Sequence, residues 1–197
     1  MQQGSDPAPY EQLEQVRELT RSALFASLTA VGAWMALPIP LSPVPLTLQV
    51  LFMLMSGMLL GGRQGAASQA LYVVMGGLGL PVFSRGGGGV GVLLGPTGGY
   101  LIGFIPAAWL TGTLAERLRR VTPEGHWLRG IGYVVAGLVG VTCLHSVGVA
   151  RLTSVLHIEW PKAFAVGSLP FLVTDSLKAI VAALLVVGLE KRGLGKA

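Results

Sequence analysis

The sequence predicts an all-α integral membrane protein, a bundle of six transmembrane helices with both termini cytoplasmic. Three observations predict it. The chain is 52% apolar and only 12% charged, with a mean hydropathy of +0.66. Charge at half the usual share of a soluble domain points to the bilayer as solvent. Six apolar runs of near-spanning length follow one another, and the basic residues between them fall mostly on one side.

A tail over 1–18 comes first. It carries Glu11, Glu14 and Glu18 and so does not read as the cationic start of a cleavable signal peptide; part of it suits an interfacial helix. About 20 apolar residues cross the hydrocarbon core, fewer in short or re-entrant segments, and the spans are read at 19–37, 45–60, 64–83, 97–114, 127–150 and 170–189. Pro38, Pro40, Pro43 and Pro45 end the first, because each lacks an N–H and disfavours helix before it. Gly61-Gly62-Arg63 parts the second from the third. The run Gly86 to Gly89 parts the third from the fourth, and Pro123-Glu124-Gly125 the fourth from the fifth. Pro170 suits the first turn of the last helix. The spans form one domain over 19–190, followed by a basic tail over 191–197.

Six spans place both termini on one side. Arg17, Arg21, Arg63, Arg117, Arg119, Arg120, Arg129, Lys191, Arg192 and Lys196 fall on that side, and only Arg85, Arg151 and Lys162 on the other, with Lys178 inside a span. This bias makes the terminal side cytoplasmic. It also accounts for the net charge of +5 without nucleic acid. Cys143 is the single cysteine, which excludes an internal disulfide and leaves a small apolar filler. Small residues recur four apart at Ser22/Ala26/Ala30, Gly57/Gly61, Gly99/Gly103 and Gly132/Ala136/Gly140, the pattern of close helix packing in lipid. On the first helix that row suits internal packing or another subunit equally.

The sharpest chemical signal is Pro170-Phe171-Leu172-Val173-Thr174-Asp175-Ser176-Leu177-Lys178. Asp175 and Lys178 share one helix face inside a span, where each costs roughly 2.5–3.5 kcal/mol at mid-bilayer. A self-neutralising ion pair is the competing reading, but such residues mark function by default. One acceptor beside one donor suits a polar, uncharged head group such as a urea. A glycine-rich stretch over 76–89, followed by Gly95-Pro96-Thr97-Gly98-Gly99-Tyr100, runs into a formal G-x-G-x-x-G at Gly86, Gly88 and Gly91. No strand precedes it and no acidic residue follows before Glu116, so it is not a dinucleotide fingerprint, and no P-loop occurs either. It reads as irregular backbone lining a cavity, whose N–H groups and Arg85 suit a carboxylate; a solvated loop charge is the alternative for Arg85. The proline-rich connector over 38–49 reads as a lid on an outward pocket or as a rigid turn. His126 and His157 belong to loops. His145, in the fifth span near its outer end, reads as a packed, hydrogen-bonded residue. Cys143 and His145 lack further ligands for a metal, and no hydrolase motif occurs.

Pro-Val-Pro-Leu-Thr-Leu-Gln at 43–49, Gly-Leu-Pro-Val-Phe-Ser at 79–84, Gly-Pro-Thr-Gly-Gly-Tyr at 95–100 and Pro-Phe…Asp…Lys at 170–178 together resemble the BioY family, the biotin-specific S subunits of energy-coupling factor transporters. The resemblance runs in one order from about Leu19 to Leu189. It implies a six-helix protein of the cell membrane that takes up biotin from outside, with Asp175 and Lys178 on the ligand. The ureido ring offers two N–H donors to the aspartate and a carbonyl to the ammonium. Gln49, Ser84, Arg85, Thr97 and Tyr100, which lie in or adjoin the other three motifs, complete the expected substrate-binding set, with the glycine-rich loop near the valerate end. The row Ala23, Ala26, Ser27 and Ala30 is expected to dock the coupling protein, which joins two ATPase subunits on other chains. No cofactor, metal or catalytic residue is implied. An S subunit for another vitamin, a self-sufficient carrier or facilitator and a membrane enzyme are the rivals. Aromatics at 7% speak against thiamine or riboflavin stacking, and no nucleophile or metal set supports an enzyme.

Overall fold

The computed structural model describes residues 9–40, 42–123 and 127–193. Residues 1–8, 194–197, Leu41, Glu124, Gly125 and His126 lie outside the described residues, and with them parts of both predicted tails, of the proline connector and of the fourth break. Among the described residues the fold is all-helical: α1 (Pro9–Trp34), α2 (Gln49–Leu60), α3 (Gly62–Gly77), α4 (Val90–Leu94), α5 (Gly98–Val121), α6 (Trp127–Leu156), α7 (Trp160–Gly167) and α8 (Leu169–Lys191), with a 3-10 turn at Ser84–Gly86. The six predicted spans fall on α1, α2, α3, α5, α6 and α8. By length and composition α5, α6 and α8 are long and apolar enough to cross a membrane, and α2 is a shorter apolar helix.

The boundaries shift where the backbone, not the hydropathy, decides. The tail joins α1 from Pro9, ten residues before the predicted span. Its buried face repeats at Ser22, Phe25, Ala26, Thr29 and Ala33, the spacing of one helical stripe. Helix α3 ends at Gly77 instead of 83, because the next residues turn: Gly79 takes φ +101°, open to glycine at little cost. Helix α6 runs past the predicted end at 150 to Leu156. The short helices α4 and α7 were not foreseen.

Helices α2, α3 and α5 meet through glycines. A Cβ on Gly57 would lie 2.6 Å from the Ala108 carbonyl, and one on Gly65 would lie 2.8 Å from the Gly57 Cα. Gly99 and Gly103 of α5 face Val147 of α6, and Gly140 of α6 faces Thr111 and Ala107 of α5, so these small-residue rows are packing surfaces. Between α1, α2 and α3 the wholly buried Gln69 donates to Thr29 Oγ1 and to Ser56 Oγ, both at 3.2 Å. Large apolar side chains face outward, among them Val135, Val173, Leu177 and Leu184. These residues lie on α6 and α8, two of the helices apolar and long enough to cross a membrane, where lipid can cover them.

Helix α8 carries its buried stripe through Phe171, Asp175, Ala179, Ala182, Val186 and Glu190. One acidic residue therefore sits near each end. At the far end Glu190 pairs with Arg129 at 3.5 Å and accepts the Tyr133 hydroxyl at 2.6 Å. Arg129 also donates to the carbonyls of Arg119 and Thr122. At the opposite end, where α5 and α8 begin and α6 finishes, a cavity opens.

Candidate functional site

The cavity has a volume of about 200 Å³, several times the ~30 Å³ share of a liquid water. Val92, Leu101, Phe104 and Leu144 give it apolar walls, and Pro43, Val44, Pro45, Leu46 and Thr47 of the proline connector line it. The connector is held by paired backbone hydrogen bonds between Leu37 and Leu46, at 2.8 and 2.9 Å. The glycine-rich loop forms another side. Its anchor is Phe83, almost wholly buried and edge-on to Tyr72 at a centroid distance of 5.5 Å.

Pro170 starts α8 in its first turn, and five residues on Asp175 points inward, 3% exposed. Lys178, one turn further, donates to Asp175 Oδ1 at 2.6 Å. The second carboxylate oxygen, Oδ2, lies 3.1 Å from His145 Nε2, and His145 Nδ1 lies 3.0 Å from Ser168 Oγ. A carboxylate only accepts, so Nε2 carries a ring hydrogen, and in the neutral imidazole Nδ1 then accepts the Ser168 hydroxyl. The imidazole is flanked by Tyr100 edge-on at 6.1 Å and by Phe171 at 6.4 Å, stacked at 30°. Tyr100 is itself held, its hydroxyl donating to the Gly167 carbonyl at 2.7 Å.

All seven sequence-derived binding candidates line this one cavity: Gln49, Ser84, Arg85, Thr97, Tyr100, Asp175 and Lys178. They differ in what they leave free. Gln49 donates to the Tyr72 hydroxyl at 2.6 Å and accepts from Thr47 at 2.9 Å, while Tyr72 donates to the Val82 carbonyl at 3.0 Å. Connector and glycine-rich loop are thus tied through one amide. Ser84 Oγ is buried with no protein partner, a polar atom at the cavity wall with its hydrogen bond still to make. Arg85 is exposed at the rim, in the left-handed region at φ 60°. Thr97 accepts the Tyr100 N–H at 3.1 Å from the turn before α5.

Sequence reasoning read His145 as packed and hydrogen-bonded, which it is, but missed that it also lines the cavity. It also missed Ser168 and Phe171. An ionisable residue within an apolar span was the available signal for His145; Ser168 carried none. The row on α1 divides. Ala26 is 0% exposed and lies on the α1 stripe that packs inward, the internal-packing alternative for this row. Ala23 and Ala30 are half-buried. Ser27 is exposed, its hydroxyl donating to the Ala23 carbonyl at 2.9 Å.

A sequence model of the BioY family matches residues 5–194. The chain is 42% identical over 176 residues to a "Biotin transporter BioY" of Thermotoga maritima, covering 89% of this chain and 97% of that protein. It is 37% identical over 171 residues to a "Biotin transporter BioY" of Rhizobium etli, covering 86% and 90%. Among solved structures it is similar to the crystal structure of the S-component for biotin from an ECF-type ABC transporter. There the TM-score is 0.81 at 29% identity, over 94% of this chain and 95% of that one.

Proposed function

This chain belongs to the BioY family, and on that premise we propose that it is the biotin-binding S subunit of an energy-coupling factor transporter in the cell membrane. The observation that carries the reading is the buried Asp175 carboxylate at the cavity wall, with the Lys178 ammonium 2.6 Å away on the same helix face. A ureido ring is uncharged and carries two N–H donors and one carbonyl. Asp175 accepts from the former; Lys178, with three donors and one in use, donates to the latter. Although both carboxylate oxygens are already engaged, each offers about two acceptor positions, so capacity remains. The apolar walls suit the thioether ring and aliphatic chain. Ser84, Arg85 and the loop N–H groups receive the carboxylate at the chain's end, and Gln49, Thr97 and Tyr100 shape the cavity between.

In this reading α1, α2, α3, α5, α6 and α8 are the six spans and both termini are cytoplasmic. The excess of Arg and Lys at the end away from the cavity supports that orientation. The cavity then opens outward beneath the proline connector. The chain is a transporter subunit and not an enzyme, and it has no nucleotide motif, so a coupling protein and two ATPases on other chains supply the energy. Ala23, Ser27 and Ala30 on α1 face that coupling protein.

The test is the thermal stability of the detergent-purified protein with and without biotin, with thiamine and riboflavin as controls. A ligand that binds only the folded state stabilises it by RT ln(1 + [L]/Kd). The reading expects a Tm rise with biotin alone. No rise in a folded protein, or a rise with another vitamin instead, contradicts it.

A further inference from the structure

We propose that His145 is a positioning residue of the binding cavity, whose Nε2–H holds the Asp175 carboxylate in the plane in which it receives ligand N–H groups, with Ser168 holding the ring at Nδ1. The inference rests on the proposed role of Asp175 and extends it to two residues that the motif-based site omits.

The argument begins with the freedom of a carboxylate. Its terminal torsion is broad and two-fold, so one partner alone does not define its plane. Lys178, on the same helix and at the end of a four-carbon stem, is a compact point charge that accommodates many orientations. His145 supplies a second anchor from a different helix, α6, at 3.1 Å from the other oxygen. Two anchors on two helices, one at each oxygen, fix the plane.

The imidazole is itself immobilised. Tyr100 stands edge-on to it and Phe171 stacks against it, and the Tyr100 hydroxyl is tied to the Gly167 carbonyl. Ser168 occupies the joint between α7 and α8. A serine at the start of a helix ordinarily turns its hydroxyl onto the helix N–H groups. Here it makes no such cap, and its fully buried hydroxyl bonds His145 Nδ1 at 3.0 Å. The acceptor-only Asp175 carboxylate requires the ring hydrogen on Nε2, and in that neutral form the Ser168 hydroxyl, freed from the cap, donates to Nδ1. With both ring nitrogens in use, His145 has no donor or acceptor left for a ligand. It acts through Asp175.

Glutamine and asparagine separate this role from mere packing. A glutamine amide at 145 places its N–H₂ near the Nε2 position and retains a donor to Asp175. An asparagine amide reaches only the Nδ1 position and retains the contact with Ser168. Biotin titrations of the purified protein therefore compare the wild type with His145→Gln, His145→Asn and Ser168→Ala, each shown to be folded by its ligand-free Tm. The expected result is a loss of about 10- to 100-fold in affinity for His145→Asn, the scale of a lost hydrogen bond to a charged group. His145→Gln should recover most of it, and Ser168→Ala should give a smaller loss. Equal affinities for His145→Gln and His145→Asn overturn the proposal, since a packing role does not tell the two amides apart. A wild type that fails to bind biotin overturns the functional reading and this inference with it; binding with equal variants overturns the inference alone. A ligand-free measurement checks the same point independently. The ¹⁵N resonances of the ring, assigned by their disappearance in His145→Gln, should report the Nε2–H tautomer, and an Nδ1–H tautomer contradicts the proposal.

Discussion

At the scale of single residues, the site is governed by the cost of a charge at membrane depth. Asp175 is tolerated because Lys178 and His145 each bond one of its oxygens, at 2.6 and 3.1 Å. Replacing it with asparagine keeps the shape, removes the charge and substitutes an amide N–H₂ for one acceptor. Asp175→Asn should therefore weaken biotin binding by about 100-fold or more, as two hydrogen bonds to a charged acceptor are lost or inverted. The protein should still fold, with a lower ligand-free Tm because the Lys178 ammonium loses its charge partner, so affinity is read on the folded variant. Calorimetric titration checks this, and an unchanged affinity removes Asp175 from the site. The residues that form the cavity were largely legible in the sequence, because its irregular backbone is marked by proline and glycine and its charges stand out in apolar spans. The link from Ser168 through His145 to Asp175 was not. Those residues lie 23 and 30 positions apart in the chain, and only the packing of α6 against α8 and the α7–α8 joint brings them together.

Among the elements, α8 places a paired acidic residue near each end of one buried stripe. Glu190 closes the end away from the cavity: Arg129 and Glu190 side chains are each 6% exposed, and Arg129 also holds the last turn of α5 through the Arg119 carbonyl. Removing one partner of a buried pair typically costs about 3–5 kcal/mol, because the other charge is left uncompensated. Glu190→Ala should lower the ligand-free Tm markedly, with the biotin affinity of the folded protein unchanged. A loss of affinity at unchanged Tm contradicts this division between a structural end and a binding end. Helix existence was readable from the apolar runs, whereas helix ends were not. Hydropathy counts residue types, so it carried α3 through Leu78 and Leu80 although Gly79 turns the backbone there at φ +101°. It stopped α6 before Arg151, although that side chain reaches across to the Leu94 carbonyl and the helix continues. The eight residues of α7 are too few to show a period. The inward face of Ala26 was illegible because a small residue serves an internal crossing and a partner surface equally well.

For the whole molecule, the fold separates two tasks. Glycine-mediated crossings of α2, α3, α5 and α6 make a close-packed scaffold, and the cavity sits at one end among a proline connector, a glycine-rich loop and the starts of α5 and α8. Asp175, Lys178, Gln49 and Tyr100 are held by partners within the protein before any ligand arrives, which lowers the ordering cost of binding. A preorganised cavity built from this chain alone should bind its ligand without the coupling protein or the ATPases. The most direct test is therefore an equilibrium titration of biotin into the purified chain by itself. The account predicts saturable binding at one site per chain, not displaced by thiamine or riboflavin. A folded chain that shows no saturable binding, or that binds biotin only when the partner subunits are added, contradicts it.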